Sequence, residues 1–272
     1  MKKIRLNNKT EIPEIGLGTW KLKGYECIGA VRKALEIGYR HIDTAEIYTN
    51  EEEIGEAIKG FLRDKLFITS KVWPNQLNHD RVLKSCEMSL KKLRTDYIDL
   101  YLIHWPDKYL DIKDILKAFK FLYDQGKIKA FGVSNFTINH IKDTLKIADR
   151  LNLPITVNQV EFHPLLYQRE LLDFCKKNNI VITAYSPIAK GRVIENGVIK
   201  EIARNYNKTT AQVSLRWLLD KGTVVIPKAK SEKHLAENLD VDFKLSEEDN
   251  KKIDNININQ RLTNPGFAEF DY

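Results

Sequence analysis

The chain has 272 residues, 43% of them hydrophobic, which is enough apolar material to fill one sizeable core. No run approaches the ~20 consecutive apolar residues of a membrane helix, and the basic start MKKIRLNNKT is followed by no apolar stretch. These features argue against a membrane protein or a secretory signal and favour the cytoplasm. The net charge of +7 is spread along the chain, so it argues against nucleic-acid binding. It suits either an anionic small ligand or an ordinary lysine-rich surface.

Short β-rich runs alternate with longer helical patterns along the sequence. Residues 3–6 and 12–15 predict a β-hairpin with Asn7 and Asn8 near its turn. Eight further strands are predicted at residues 16–19, 40–43, 66–70, 97–103, 128–132, 156–160, 180–184 and 224–226. Helical patterns separate these strands, and those nearest the C-terminus are predicted at residues 198–206, 211–219, 231–239 and 246–253.

This strict alternation predicts parallel strands joined by helical crossovers. The strands in VVIP and IVITAY are apolar on both faces, as expected of a sheet covered by helices. Eight repeats favour an α/β fold, a (β/α)8 TIM barrel with an N-terminal β-hairpin and two extra helices, over an open doubly wound sheet. No linker divides the chain, so residues 1–272 are predicted to form a single domain. The irregular tail at 259–272 is expected to lie over one barrel face.

The three cysteines, Cys27, Cys86 and Cys175, give no disulfide or metal-binding pattern, because they are odd in number and widely spaced. Each lies at helical spacing from apolar residues, so all three are expected to be small side chains of the core. No metal site is predicted.

The polar residues that end the predicted strands form the candidate site, because the active site of such a barrel lies at the C-terminal ends of its strands. Every strand after the first delivers a polar or aromatic group: Asp43, Lys71, His104, Asn135, Gln159, Tyr185 with Ser186, and Lys228. Tyr48 lies in the loop five residues beyond Asp43. Each residue alone has an ordinary explanation in a turn, in packing or in solvent, but their joint placement favours chemistry. His41 and His163 are interpreted as core or rim residues.

Four of these residue types fit the reduction of a carbonyl group, which needs a hydride at carbon and a proton at oxygen. The protein supplies no hydride, so a cofactor must supply it. A tyrosine has an ordinary pKa of about 10, which a nearby lysine ammonium lowers. We therefore expect Tyr48 to be the general acid, with Lys71 lowering its pKa. Asp43 is expected to hold the lysine, and a neutral His104 to orient the carbonyl oxygen.

The same residues lie in segments that resemble the aldo-keto reductase family, in a short microbial-type form, over essentially the whole chain. The matching segments are GLGTW (16–20), GYRHIDTAEIYTNEEEIGEAI (38–58), ITSKVWP (68–74), DYIDLYLIHWP (96–106), IKAFGVSNF (128–136), VNQVEFHPLL (157–166), AYSPIAKG (184–191) and VVIPKA (224–229). No single segment is decisive, but chance does not explain so many in order with the right gaps. The resemblance implies an oxidoreductase acting on carbonyl substrates, with the catalytic residues Asp43, Tyr48, Lys71 and His104.

The resemblance also implies a nicotinamide cofactor and the residues that contact it. Tyr185 is expected to stack on the nicotinamide, with Thr19 and Trp20 close by. The other implied contacts are Ser134, Asn135 and Gln159 at the carboxamide, Ser186, Pro187 and Ile188 along the pyrophosphate, and Glu237 and Asn238 at the adenine. No Rossmann loop is expected, because the G-x-G that begins at Gly16 lacks a third glycine.

The phosphate groups of the cofactor are expected at the helix that begins near Ser231, whose free N–H groups favour anions. Relatives that prefer NADPH commonly carry Lys-Ser after Ile-Pro and an arginine six residues beyond the lysine. Here Lys228 is kept, but Ala229 and His234 replace the serine and the arginine. A mostly neutral histidine is a weaker phosphate anchor than arginine, although Lys230 can compensate. NADPH is therefore favoured, with use of NADH as the alternative.

Three tryptophans, Trp20, Trp73 and Trp105, match aromatic pocket positions of the family. They would form an apolar funnel above Tyr48 and His104, with ordinary packing as the alternative. The loop at 105–110 and the tail are both short. We therefore expect an open, permissive site for small aldehydes, ketoaldehydes and some ketones. The resemblance to short members of the family also implies a monomer.

Two other kinds of function are left open by these residues. A nicotinamide-binding regulatory protein on the same barrel would keep them, although no long extra N-terminal segment or docking patch supports it. A different barrel enzyme is the second alternative. A metal-dependent hydrolase would need more His and Asp at the strand ends, and there is no HxH after the first strand. An aldolase using Lys71 as a Schiff base would leave Tyr185 and the IPK segment unexplained.

Overall fold

The chain begins with a β-hairpin, as the sequence predicts. The computed structural model describes residues 2–109 and 111–272. Strands β1 (Lys3–Arg5) and β2 (Glu11–Pro13) pair antiparallel, and the Asn7 side chain donates to the Ile155 carbonyl at 2.9 Å. A buried apolar cluster joins the hairpin to the barrel strands: Leu6, Ile12, Phe67, Leu100, Leu102, Ala130, Val157 and Val224. The hairpin therefore covers the N-terminal end of the barrel, opposite the expected site.

Eight parallel strands lie side by side in chain order. They are β3 (Leu17–Gly18), β4 (His41–Asp43), β5 (Phe67–Val72), β6 (Leu100–Ile103), β7 (Phe131–Ser134), β8 (Ile155–Glu161), β9 (Val181–Tyr185) and β10 (Val224–Val225). The ends of the sheet meet where Ile15 pairs with Val225 and the Gly18 amide donates to the Pro227 carbonyl at 3.2 Å. A Cβ at position 18 would lie 2.6 Å from the Ile226 carbonyl oxygen, so the closure requires glycine. The closed barrel is confirmed, and the open doubly wound sheet is excluded.

Helices connect the strands and cover the outside of the barrel. The described residues form α1 (Gly24–Glu36), α2 (Glu51–Ala57), α3 (His79–Leu93), α4 (Ile112–Asp124), α5 (Ile138–Ala148), α6 (Arg169–Lys177), α7 (Gly197–Asn205), α8 (Thr210–Asp220), α9 (Glu232–Leu239) and α10 (Glu247–Asp254). Single helices follow β3 to β8, and pairs follow β9 and β10, which accounts for the two extra helices that the sequence predicts. The polar ends of several helices are capped by side chains; Asn78, for example, accepts from the Arg81 amide at 3.0 Å at the start of α3.

The predicted strand ends differ from the observed ones mainly at β6 and β7. β6 begins at Leu100, although residues 97–103 were expected, and β7 runs from Phe131 to Ser134, although 128–132 was expected. An isolated bridge between Ile98 and Ile128 precedes both strands. Backbone pairing of Ser134 with β8, which the local sequence does not specify, carries β7 two residues further.

All three cysteines are buried. Burial raises the pKa of each thiol, of Cys27, Cys86 and Cys175 alike, to about 12. Because the thiolate is the reactive form, these residues behave as small apolar side chains, as the sequence predicts. His41 and His163 are also fully buried, in agreement with their interpretation as core residues.

His41 is expected to make the protein less stable in acid. The ring lies in β4 with Nε2 3.1 Å from the Thr69 hydroxyl, and burial lowers its pKa from 6.5 to about 3. Below pH 6.5 the unfolded chain gains a proton that the folded chain does not bind until about pH 3, so stability falls over that interval. This group alone accounts for up to roughly 5 kcal/mol of the loss in unfolding free energy. Urea unfolding at a series of pH values should give a shallower acid decline for His41→Gln than for wild type; equal slopes would contradict this assignment.

No helix in the described ranges 2–109 and 111–272 is long and apolar enough to cross a membrane. The cytoplasmic location, the monomeric state and the single-domain organisation over 1–272 stay predictions. The predicted loop at 105–110 ends at Leu110, which lies outside the described residues.

Candidate active site

A buried ion pair lies at the C-terminal end of the barrel. Asp43 ends β4 and Lys71 lies near the end of β5, and the Lys71 Nζ is 2.7 Å from the Asp43 Oδ1. The ammonium also donates to the Thr44 carbonyl at 2.8 Å, and the Gln159 Nε2 donates to the other Asp43 oxygen at 2.6 Å. Burial raises the pKa of Asp43 and lowers that of Lys71, and their mutual attraction opposes both shifts. The pair is therefore held by direct contact and by neighbours that satisfy its remaining bonds.

Tyr48 lies beside this pair. It ends a single 3-10 turn, Glu46–Tyr48, that follows β4. The Lys71 Nζ is 5.0 Å from the centroid of the Tyr48 ring, and the centroid of the His104 ring is 5.7 Å away on another side. The structure thus brings together the four residues that the sequence singles out for catalysis.

The pKa of Tyr48 is shifted upward in this site. Burial raises this pKa well above its ordinary value, and the charge of Asp43 acts in the same direction. The lowering by Lys71 that the sequence predicts stays a prediction, since the net shift of this pKa is set first by burial. Tyr48 is consequently a neutral phenol with its proton in place at neutral pH.

His104 follows β6 and packs between aromatic rings. Its backbone amide donates to the Val72 carbonyl at 3.0 Å, which fixes it beside the end of β5. The ring lies edge-on to Trp73 at a centroid distance of 5.0 Å. Burial, assisted by the charge of Lys71, lowers the pKa of His104 well below its ordinary value. The imidazole is therefore neutral, as expected of a group that hydrogen-bonds a carbonyl oxygen.

A second polar network joins β7, β8 and β9 at the same barrel face. The Asn135 Nδ2 donates to the His104 carbonyl at 3.0 Å, and the Tyr185 hydroxyl donates to the Asn135 Oδ1 at 2.9 Å. The Ser134 hydroxyl donates to the Gln159 carbonyl at 2.8 Å. Because Gln159 also contacts Asp43, this network is continuous with the ion pair. The predicted contacts of these residues with a nicotinamide stay predictions.

The aromatic wall of the site includes residues that sequence reasoning missed. Phe267 of the C-terminal tail lies edge-on to Trp73 at 5.7 Å and to Trp105 at 5.5 Å, and Phe270 lies 5.8 Å from Trp105. The aromatic pair in FAEF (267–270) is the only sequence signal for this contact, and it gives no location. The tail lies over the barrel face as expected, but it is long enough to add a wall to a site expected to be open. Trp20 is 45% exposed, with the Lys21 Nζ 4.4 Å from the centroid of its ring, and its role toward substrate stays a prediction.

Positive charge gathers where the cofactor phosphates are expected. Burial, followed by the charges of Lys230 and Lys21, lowers the pKa of Lys228. Ser231 caps α9 by accepting from the His234 amide at 3.3 Å, and His234 itself is exposed. Lys230 is also paired with Glu26 at 2.8 Å, so part of its charge is already compensated.

The remaining predicted cofactor contacts have structural partners of their own. The buried Thr19 donates through its hydroxyl to the Asp43 carbonyl at 2.8 Å. Glu237 accepts from the Thr209 hydroxyl at 2.6 Å, and Asn238 is buried. Ser186, Pro187 and Ile188 begin an irregular loop after β9 in which Ser186, Ala189 and Lys190 all have positive φ, between 47° and 53°. Their roles toward a cofactor stay predictions.

Comparisons with known proteins identify the family of the chain. A family model described as the aldo/keto reductase family matches residues 14–258. Glyoxal reductase of Bacillus subtilis (strain 168) is 48% identical over 265 residues, covering 95% of this chain and 94% of that protein. Methylglyoxal reductase DkgA of Yersinia pestis is 42% identical over 265 residues, with coverage of 95% and 94%. The structure of MGS-M4, an aldo-keto reductase from a Medee basin deep-sea metagenome library, matches with a TM-score of 0.93 and 43% identity, covering 99% of this chain and 100% of that chain.

Proposed function

Because the chain belongs to the aldo/keto reductase family and is an oxidoreductase acting on carbonyl compounds, we propose that it reduces small aldehydes and ketoaldehydes, and some ketones, with NADPH. Tyr48 is the general acid of this reaction. The observation that carries the proposal is the buried Asp43–Lys71 pair at 2.7 Å, with Tyr48 beside the lysine and a neutral His104 beside Tyr48.

The residues at the barrel mouth fit a nicotinamide dinucleotide. The ammonium groups of Lys21, Lys228 and Lys230 suit phosphate groups, and the start of α9 offers N–H groups to an anion. Tyr185 and Asn135 lie on the same face as the ion pair and suit the nicotinamide end. The cofactor supplies the hydride that the protein cannot.

The side chains of the site supply the proton for the carbonyl oxygen and stabilise the negative charge left on the proton donor. His104 orients the substrate by hydrogen-bonding its carbonyl oxygen, and Tyr48 donates the phenolic proton to that oxygen as hydride reaches the carbon. The oxygen becomes the alcohol hydroxyl, and Tyr48 is left as a phenolate. The Lys71 Nζ, 5.0 Å from the centroid of the Tyr48 ring, stabilises that phenolate. Asp43 keeps the ammonium charged and in place.

The pocket and the relatives support the proposed substrate class. Trp73, Trp105 and Phe267 give an apolar wall next to His104, which suits a carbonyl compound with few other polar groups. Glyoxal and methylglyoxal are named for the relatives, so methylglyoxal is the first substrate to test. The assay follows the absorbance of NADPH, and separately of NADH, with methylglyoxal and with a nitrobenzaldehyde. Turnover with NADPH supports the proposal; tight NADPH binding with no turnover of any carbonyl favours the regulatory alternative.

His234→Arg is expected to raise the preference for NADPH over NADH about tenfold, because a guanidinium would provide the charged phosphate partner that His234 does not. The measurement is the ratio of kcat/KM for the two cofactors at saturating methylglyoxal. Lys233→Arg is the matched control, since it adds a guanidinium at the neighbouring exposed position without changing the charge. An unchanged ratio in His234→Arg, or an equal rise in the control, would show that position 234 does not face the phosphate.

A further inference from the structure

The C-terminal tail, residues 261–272, is tied to the barrel at both ends. At its start, the backbone amides of Leu262 and Thr263 donate to the two Glu161 carboxylate oxygens at 2.7 and 2.8 Å. At its end, the Thr137 hydroxyl donates to the Tyr272 carbonyl at 2.9 Å. Phe267 lies between these attachments, half-exposed, against Trp73 and Trp105. The position of the Phe267 ring therefore depends on how firmly the middle of the tail is held.

Glu269 holds the middle of the tail. Its carboxylate accepts from the Lys108 backbone amide at 3.1 and 3.3 Å and faces the His140 Nε2 at 3.0 Å. Lys108 belongs to the connection after β6 that carries Trp105, and His140 lies in the first turn of α5. The Glu269 side chain is only 13% exposed and that of His140 only 5%, so water competes weakly for these bonds. The Glu269 carboxylate thus joins the C-terminal tail, the connection after β6 and the first turn of α5.

The hydrogen bonds of His140 assign its ring protons. The Thr137 backbone amide donates to the His140 Nδ1 at 3.2 Å, so Nδ1 is an acceptor and Nε2 carries the proton. The Nε2–H then points at Glu269 and donates to it. Burial lowers the pKa of His140, while Glu269 and Asp143 raise it and Lys108 lowers it further. The neutral ring satisfies both contacts, and the tilted Tyr272 ring packs against it at a centroid distance of 4.4 Å.

We propose that Glu269 is a positioning residue that fixes Phe267 against Trp73 and Trp105 and thereby makes the site selective for carbonyl compounds with a planar aromatic group. Trp73 lies 5.0 Å from His104, so the wall that Phe267 completes begins next to the reacting carbonyl. An aromatic substrate packs on these rings, whereas methylglyoxal has no ring to pack against them. The selectivity rests on the proposed function, which identifies the reaction. The attachment of the tail by Glu269 does not depend on that function.

The test uses variants that alter the contacts of Glu269 with Lys108 and His140, here called the clamp. The catalytic residues are left unchanged. Glu269→Ala removes the acceptor and His140→Ala removes the donor, while His140→Gln keeps a donor where Nε2 stands. Asp271→Ala is the matched control, because it removes an exposed carboxylate of the same tail. Two quantities are measured on the full-length protein: hydrogen exchange of the amides in residues 266–272, and KM and kcat for a nitrobenzaldehyde and for methylglyoxal.

Glu269→Ala and His140→Ala are expected to speed exchange of the tail amides and to raise KM for the nitrobenzaldehyde about tenfold, the effect of losing aromatic contacts. KM for methylglyoxal should change by no more than about twofold. His140→Gln and Asp271→Ala should behave like wild type. Faster exchange without a selective rise in KM would overturn the claim of selectivity, and unchanged exchange in Glu269→Ala would overturn the clamp. A wild type that is inactive with every carbonyl would overturn the proposed function and the selectivity. Hydrogen exchange of the tail amides would still show whether Glu269 holds the tail.

Discussion

Tyr48→Phe is expected to lower kcat for methylglyoxal reduction by roughly 10²–10⁴-fold, the usual contribution of a general acid. The change removes only the hydroxyl and keeps the ring. The centroid of that ring lies 5.7 Å from the centroid of the His104 ring and 5.0 Å from the Lys71 Nζ. Steady-state oxidation of NADPH in the presence of methylglyoxal measures the effect. The loss should lie in kcat rather than in KM, because the proton is transferred only in the transition state.

The control for Tyr48→Phe is binding of NADPH, followed by quenching of tryptophan fluorescence. Binding and the thermal unfolding midpoint should both stay close to those of wild type, because the ring still fills its site. A variant that retains more than about a tenth of the wild-type kcat would rule out Tyr48 as the essential acid.

Lys71→Met is expected to cost about 3–5 kcal/mol of unfolding free energy as well as abolishing turnover. The Lys71 side chain is fully buried, and its ammonium is the direct partner of Asp43. Without it, a carboxylate that is 3% exposed is left without a compensating charge. Urea unfolding at neutral pH measures the difference in free energy.

The double variant Asp43→Asn with Lys71→Met tests the reason for that loss. It removes the buried charge together with its partner, so it should recover a large part of the stability lost in Lys71→Met. It should stay inactive, because nothing then stabilises the phenolate of Tyr48. A single variant Lys71→Met as stable as wild type would show that burial of the Asp43 carboxylate without its partner carries no penalty.

The barrel could be predicted because strand–helix alternation is a local property of the sequence, visible in the runs that became β4, β5, β8 and β9. The ends of β6 and β7 could not, because they depend on pairing with neighbouring strands that are distant in sequence. Ser134 illustrates the point, since its pairing with Gln159 of β8 extends β7 beyond the predicted end.

The grouping of Asp43, Tyr48, Lys71 and His104 could be predicted because successive parallel strands end on one face of a barrel. The upward shift of the Tyr48 pKa could not be predicted, because it depends on burial and on the charge of Asp43. The contact between Phe267 and Trp73 could not be predicted either, because Phe267 lies in an irregular segment without hydrophobic periodicity.

The proposed reaction is tested most directly by its stoichiometry in the purified wild type. Methylglyoxal and NADPH are mixed, and the alcohol formed is quantified beside the NADPH oxidised. We predict one alcohol per NADPH, with no reaction when either reactant is omitted. Oxidation of NADPH without formation of an alcohol, or tight binding of NADPH without oxidation in the presence of any carbonyl of the panel, would contradict the assignment of this chain as an NADPH-dependent carbonyl reductase.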